Sequence, residues 1–152
     1  MAKSSAGILL YRISEQEIEI LLGHMGGPYW AKKEDFAWSI PKGEFNLNHE
    51  NPEAAARREF FEETGYQLDQ SLTPLLPITR YGKTLFFYLL ELDLDHTQLK
   101  SNLFELEWPP KSGIKCSFPE LDRFAWCNLQ DATMKLVKSQ QPVFDQLSKI
   151  LP

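Results

Sequence analysis

The chain has 152 residues, 43% apolar and 24% charged, a composition that excludes a disordered or collagen-like chain. At this length one domain spanning 1–152 is expected, with a core large enough to need no disulfide or structural metal. Sixteen Lys and Arg against twenty-one Asp and Glu give a formal net charge of −5. Extensive nucleic-acid binding is therefore not expected, while a small anionic substrate stays compatible, since one bound cation reverses a local field.

Ala6–Arg12 is apolar and β-prone and predicts a strand. Ser14-Glu15-Gln16 predicts a turn, and Glu17–Leu22 a second strand with Ile18, Ile20 and Leu22 on one face. Three glycines and a proline in Gly23–Pro28 should interrupt regular structure. Phe36–Pro41 reads as a short strand or extended piece closed by a Pro41-Lys42-Gly43 turn. The clearest helix follows, with Asn51 as N-cap, Pro52 at the first position, three alanines, and Gly65 as a left-handed cap after Thr64. Leu75–Arg80 and Lys83–Leu92 predict two strands about a Tyr81-Gly82 turn. Thr97–Asn102 reads as loop or short helix, Phe104–Trp108 as a strand, Pro109–Gly113 as a loop and Asp122–Asn128 as a late strand. Asp131–Lys138, with Ala132, Leu136 and Met134 inward, and Pro142–Leu151 predict the last helices.

The sum is an α/β domain with several strands, one central helix and terminal helices. Neither a dinucleotide-binding glycine fingerprint nor a P-loop is present. Cys116 and Cys127 form no CxxC or zinc pattern and are expected to be reduced thiols. The first sixteen residues carry too short an apolar run for a secretory signal, and Leu85–Leu90 falls far short of the ~20 residues of a membrane span. A cytoplasmic protein without a membrane partner is expected; no feature marks an oligomer interface, so a homo-oligomer is left open.

Chemistry concentrates in Arg57-Arg58-Glu59-Phe60-Phe61-Glu62-Glu63-Thr64-Gly65. Glu59, Glu62 and Glu63 are three and four apart and share one helical side. Like charges at that spacing repel by roughly 0.2–0.5 kcal/mol per exposed pair. They also sit in the last turns, where the helix dipole disfavours anions. From Glu44 to Glu63 there are six Glu and two Arg, a net of −4. A divalent cation such as Mg²⁺, which takes oxygen ligands, would relieve the repulsion. On spacing alone, a metal cluster and a solvated acidic face stand equal.

Gly43, Glu50, Arg58-Glu59-Phe60, Glu62-Glu63 and Gly65-Tyr66 resemble the Nudix signature, G-x5-E-x7-R-E-U-x-E-E-x-G-U with U apolar. Glu50 to Arg58 has the required spacing, and Arg58 to Tyr66 matches without a gap. Gly43 to Glu50 encloses six residues rather than five, a one-residue insertion around Asn46-Leu47-Asn48-His49. Ser5–Tyr11 resembles the family's first core strand, and Trp38–Gly43 the lead-in of its dinucleoside polyphosphate hydrolases. Trp30–Lys33 and Phe104–Pro110 resemble a bacterial branch of predicted nucleotide pyrophosphohydrolases.

The resemblance implies a mixed β-sheet sandwiched between helices, with a strand-loop-helix metal site. It implies hydrolysis of a diphosphate bond in a nucleoside diphosphate linked to another group, a dinucleoside polyphosphate being favoured, with Mg²⁺ or alternatively Mn²⁺. Glu62 and Glu63 are then metal ligands, and Glu59 is a ligand or the base that handles water. A backbone carbonyl at Lys42 or Gly43 adds a ligand, and Glu50 and Arg58 hold the loop against the helix. Lys42, Trp30, Arg80 and Tyr81 are candidate substrate-binding residues for a small nucleotide. Tyr29, Phe36 and Trp108 are further stacking candidates. Glu105, Glu107 and Glu120 are weighed as a distant carboxylate, and His24 as a loop contact. The alternatives are a nucleotide-sugar or nucleoside triphosphate pyrophosphohydrolase, RNA decapping, and a non-catalytic nucleotide-sensing module.

Overall fold

The computed structural model describes residues 3–151; Met1, Ala2 and Pro152, the ends of the expected 1–152 domain, lie outside it. In chain order the elements are β1 (Lys3–Ser14), β2 (Glu17–Met25), β3 (Trp38–Ser39), β4 (Lys42–Phe45), α1 (Pro52–Thr64), β5 (Thr73–Pro74), β6 (Ile78–Arg80), β7 (Lys83–Glu91), β8 (Leu103–Glu107), β9 (Lys115–Pro119), β10 (Leu121–Asn128), α2 (Leu129–Lys135) and α3 (Val143–Ile150). Single 3₁₀ turns lie at His96–Gln98 and Lys138–Gln140.

β1 organises the main sheet. Its end forms a hairpin with β2 across Glu15 and Gln16, whose φ values of 50° and 68° match the strand twist. Its stretch Lys3–Tyr11 pairs in parallel with β7, from Lys3↔Lys83 to Tyr11↔Glu91. Its first residues pair with β4, from Ser4↔Phe45 to Gly7↔Lys42. The sheet order is β10-β2-β1-β7-β5, with β3 on β2, β4 on β1 and β6 on β7. β8 and β9 form a separate two-stranded ribbon.

The sheet separates two cores. Ala6, Ile8 and Leu10 face Ala55, Ala56 and Phe60 of α1. On the other side Leu9, Ile20, Leu22 and Phe87 pack with Ala132 of α2, Leu136, and Val143 and Leu147 of α3. The alternation along β1 sends successive side chains to opposite cores. Burying each large aliphatic contributes about 1.5–3 kcal/mol. This is the mixed sheet between helices that the family resemblance implies.

Several boundaries differ from expectation. Lys42–Phe45, read as the end of a turn, is a strand, because β1 offers its backbone a partner. Leu75–Arg80 is broken: Pro77 has no N–H, and Leu76 is bonded instead through Leu76 N–H to Gln146 Oε1 (2.6 Å) and Gln146 Nε2 to Leu76 O (2.9 Å). β9 was not anticipated; it pairs with β8 from Leu103↔Pro119 to Glu107↔Lys115. Helix α2 begins at Leu129, capped by Asn128 Oδ1 accepting from Asp131 N–H, and Met134 is exposed rather than inward. No helix is long and apolar enough to cross a membrane among the described residues. Cys116 and Cys127 are free thiols.

Candidate active site

Helix α1 starts as its sequence dictates. The Asn51 side chain accepts from Ala54 N–H at 2.8 Å, Pro52 occupies the first turn, and Gly65 closes the helix at φ 75°. With both ends pinned, the last turns present Glu59, Glu62 and Glu63 beside β4. Gly43 of β4 lies so close that a Cβ there would collide with Glu59 Oε2. A side chain at 43 would push helix and strand apart.

Glu59, Glu62, Glu63 and Gly43 line one cavity of about 430 Å³ with Lys42 and Glu120. Of the three distant carboxylates weighed, Glu120 lines this cavity: it immediately precedes β10, whose Leu121 pairs with Met25 of β2. Its N–H donates to Asn102 O (2.9 Å), while Asn102 N–H donates to Glu62 O (2.8 Å). That chain of bonds ties the end of α1 to the start of β10. Glu105 and Glu107 point outward on the exposed side of β8.

Electrostatics are severe here. Burial, then the charges of Glu120 and Glu59, push the Glu63 carboxyl up to about 8, with Lys42 opposing. Glu63 Oε2 is buried without a hydrogen-bond partner. Glu59 is raised by burial and then by Glu62, against Arg58. Glu120 is raised by burial, against Lys42.

Arg58 holds two of the cavity's carboxylates without lining the cavity itself. Its Nε and Nη2 donate to Glu50 Oε2 and Oε1 at 3.0 and 2.9 Å, a two-point pairing. Its Nη1 donates to Glu59 Oε1 at 2.8 Å and Glu62 Oε1 at 3.2 Å. The hydrogen bond from Arg58 holds Glu50 below its ordinary range. The extra loop residue is absorbed in a tight turn: Asn46 O accepts from His49 N–H and Glu50 N–H, both at 3.0 Å, and Asn46 Oδ1 from Asn48 N–H at 2.9 Å. Glu50 therefore still reaches Arg58 despite the insertion.

Among the described residues no three His, Cys, Asp or Glu side chains stand in a closed ligand set, and Arg58 engages Glu59 and Glu62. The donor chemistry nonetheless fits a hard divalent cation. The side-chain donors are all carboxylate oxygens, one buried oxygen lacks a partner, and the carboxylates repel one another.

A second cavity of about 430 Å³ shares Lys42 and Glu44 with the first. Five cationic side chains, Lys3, Lys42, Arg80, Lys83 and Lys138, line it against one anion, Glu44. Tyr81 is at its rim, 89% exposed, with the Arg80 guanidinium 5.4 Å from its ring centre. The structure thus brings Arg80 and Tyr81 to Lys42. Lys3, Lys83 and Lys138 were not anticipated, because three remote segments contribute them and no local pattern marks them.

Trp30 lines neither cavity; it packs at the edge of the core on the α2–α3 side, with Lys33 over its ring at 5.3 Å. His24 is fully buried rather than a substrate contact. Its Nδ1 lies 2.9 Å from Asp122 Oδ1 and its Nε2 2.6 Å from Lys33 O, with the ring edge-on to Trp38.

A family model, the NUDIX domain, matches residues 1–147. The chain belongs to the NUDIX family. An uncharacterised 17.7 kDa protein of Enterobacteria phage T4 is 27% identical over 128 residues, covering 82% of each chain. An RNA pyrophosphohydrolase of Hamiltonella defensa subsp. Acyrthosiphon pisum (strain 5AT) is 24% identical over 152 residues, covering 86% of this chain and 83% of the relative. Among solved structures, the binary complex of C. elegans Ap4A hydrolase superposes with a TM-score of 0.66 at 23% identity, covering 98% of this chain and 97% of that one. At that identity the likeness concerns the fold.

Proposed function

We propose that this NUDIX protein is a divalent-metal-dependent pyrophosphohydrolase acting on a nucleoside diphosphate linked to a further group, with dinucleoside polyphosphates as the favoured substrates. The observation that carries the reading is one cavity lined by Glu59, Glu62, Glu63 and Glu120, joined through Lys42 to a cavity lined by five cations. A packing role does not account for four clustered carboxylates, one of which, Glu63, is raised to about 8 by its burial and then by the charges of the others. Glu62 and Glu63 would hold Mg²⁺ (or Mn²⁺), with Glu59, Glu120 and the Gly43 carbonyl as the remaining protein oxygens.

When bound, such an ion screens phosphate charge and lowers the pKa of water. The chain's own residues supply the rest. Arg58 restrains Glu59 and Glu62 from behind and anchors the loop through Glu50. Lys42 faces both cavities, so it is placed to neutralise a phosphate adjoining the scissile bond. Arg80 and the other cations favour phosphates beyond it, and Tyr81 offers an exposed ring at the rim. A nucleotide sugar carries only a diphosphate and leaves most of these cations unpaired, which favours a longer bridge. The basic cavity also admits the polyphosphate of an RNA end, a reading suggested by the Hamiltonella relative, an RNA pyrophosphohydrolase.

The test is a panel with Mg²⁺ and Mn²⁺: dinucleoside polyphosphates, ADP-ribose, nucleotide sugars, triphosphates and 5′-triphosphorylated RNA, with products resolved by chromatography. Metal-dependent turnover of a polyphosphate is expected. Glu62→Gln should leave the fold intact and lower the rate at least ~100-fold, the scale of a lost electrostatic contact in a transition state. Undiminished turnover in that variant would sink the assignment.

A further inference from the structure

His24 of β2 is fully buried, and nothing in the proposed reaction uses it. Its two ring nitrogens face two acceptors: Nδ1 lies 2.9 Å from Asp122 Oδ1, and Nε2 lies 2.6 Å from the Lys33 carbonyl. A neutral imidazole carries one N–H and would set its other nitrogen against an oxygen lone pair, whereas an imidazolium donates from both. The Lys33 carbonyl can only accept. Asp122 Oδ1 also accepts from Arg123 Nη1 at 3.3 Å, a second donor that suits an ionised carboxylate.

Asp122 is also where β10 departs from regular pairing. Met25 and His24 are adjacent on β2 but pair with Leu121 and Arg123, so Asp122 is the extra residue of a bulge. The bulge changes which way side chains face. Leu121 and Phe124 are three apart, a spacing that puts side chains on opposite faces of a regular strand, yet both reach the α1-side core. The start of β10 is thereby turned toward α1, and Glu120 immediately precedes that start. The Glu120 carbonyl accepts from Gly26 N–H at 2.9 Å, only two residues after His24, and Met25 between them lines the carboxylate cavity with Glu120.

We propose that His24 is a positioning residue for Glu120: as an imidazolium it clamps the Asp122 bulge to the segment at Lys33 and so fixes where the Glu120 carboxylate stands. This rests on the pyrophosphohydrolase reading above, which counts Glu120 among the oxygens that would hold the metal.

The surroundings supply the charges that a buried cation needs. Asp122 pairs with it directly. The imidazole meets the Trp38 ring edge-on at 5.2 Å, and Trp38 Nε1 donates to Glu34 Oε1 at 3.0 Å. Glu34 also accepts from Arg123 Nη2 at 2.9 Å and lies 3.7 Å from Lys135 Nζ of α2. Two anions are thus shared among Arg123, Lys135 and the imidazolium, while the Lys33 ammonium lies over the Trp30 ring at 5.3 Å. Breaking an enclosed ion pair leaves an uncompensated charge, so the clamp resists opening.

Two measurements on the whole protein test this. A nitrogen–proton correlation spectrum of the wild type at neutral pH should show two N–H groups on the His24 ring, assigned through the couplings of the ring itself. A single ring N–H overturns the clamp. Titration calorimetry with Mn²⁺ alone then follows a cycle of His24→Gln, Glu120→Gln and the double variant. His24→Gln should weaken Mn²⁺ binding about tenfold, the scale of a lost outer partner of a metal ligand, and should change nothing further once Glu120 is Gln. A loss that persists in the Glu120→Gln background marks a general effect on the fold and overturns the proposal, as does an undiminished affinity; both leave the pyrophosphohydrolase reading standing. Asp122→Ala, at a partly exposed position, passes through the same cycle, so that a poorly folding His24→Gln decides nothing by default. A wild type that binds no Mn²⁺ overturns the metal-dependent reading and the proposal with it.

Discussion

Glu63 carries the largest electrostatic burden in the site. Burial and three neighbouring carboxylates, Glu120, Glu59 and Glu62, raise it from 4.5 to about 8 against Lys42, so in the metal-free folded state it holds a proton at neutral pH. The unfolded chain has lost that proton by then. Between about 4.5 and about 8 the folded state binds more protons, so stability falls as pH rises through that window. Replacing Glu63 by Gln removes this dependence. With a chelator present, the Tm of the wild type relative to Glu63→Gln should therefore decline from pH 5 to pH 8, and a flat difference would refute the assignment. Adding Mg²⁺ reverses the trend, because binding a cation expels the proton and so tightens with pH.

At the scale of elements, the site depends on a contact between distant segments. Gln140, fully buried in the 3₁₀ turn after α2, accepts from Ile40 N–H at 3.0 Å and donates to Ser39 Oγ at 2.9 Å. The same turn places Lys138 at the basic cavity, and Ile40 lies just before β4, which carries Lys42 and Gly43. One amide thus fastens two walls of the basic cavity, the turn with Lys138 and the segment leading into β4. Gln140→Met keeps the bulk but strands the buried Ile40 N–H and takes a donor from the Ser39 hydroxyl, which keeps its own bond to Ile40 O, at a cost of about 2 kcal/mol. Urea unfolding should show that loss as a lower midpoint with an unchanged slope; an unmoved midpoint would mean that the amide is not what holds the walls.

Such contacts explain what could be read from the chain and what could not. Helix α1 was legible because its signals are local: Asn51, Pro52 and Gly65 act within a few residues of themselves. The three-carboxylate face followed from helical periodicity, and the Tyr81-Gly82 turn from its own residues, both left-handed at φ 52° and 74°. Strand β4 was missed because Pro41 and Gly43 look like a turn until β1 supplies hydrogen bonds. Glu120 was one of three acidic candidates, and only the pairing of β10 with β2 distinguishes it from Glu105 and Glu107. Trp30 was misplaced for a related reason: tryptophans in glycine-rich loops serve cores and ligands alike, and here the core took it.

The whole molecule carries a net charge of −5, yet gathers five cations around one hollow next to its carboxylates. An acidic surface opposes the approach of any polyphosphate, so this hollow must provide local attraction against the mean field. Its members come from β1, β4, the β6–β7 turn and the segment after α2, so the attraction exists only in the folded sheet. Discrimination by phosphate number follows. Arg80→Ala removes one charge-assisted contact, an effect of about 1.5–3 kcal/mol, equivalent to a KM roughly tenfold higher or more for a tetraphosphate bridge. ADP-ribose, with only two phosphates to place, should show a much smaller change, and kcat should hold for both because Arg80 lines the basic cavity and not the carboxylate cavity. Raising ionic strength from ~0.05 to ~0.5 M should compress the difference between the two substrates, since salt screens partly exposed charges. Equal losses for both substrates, or a fall confined to kcat, would place Arg80 at the reacting phosphates instead.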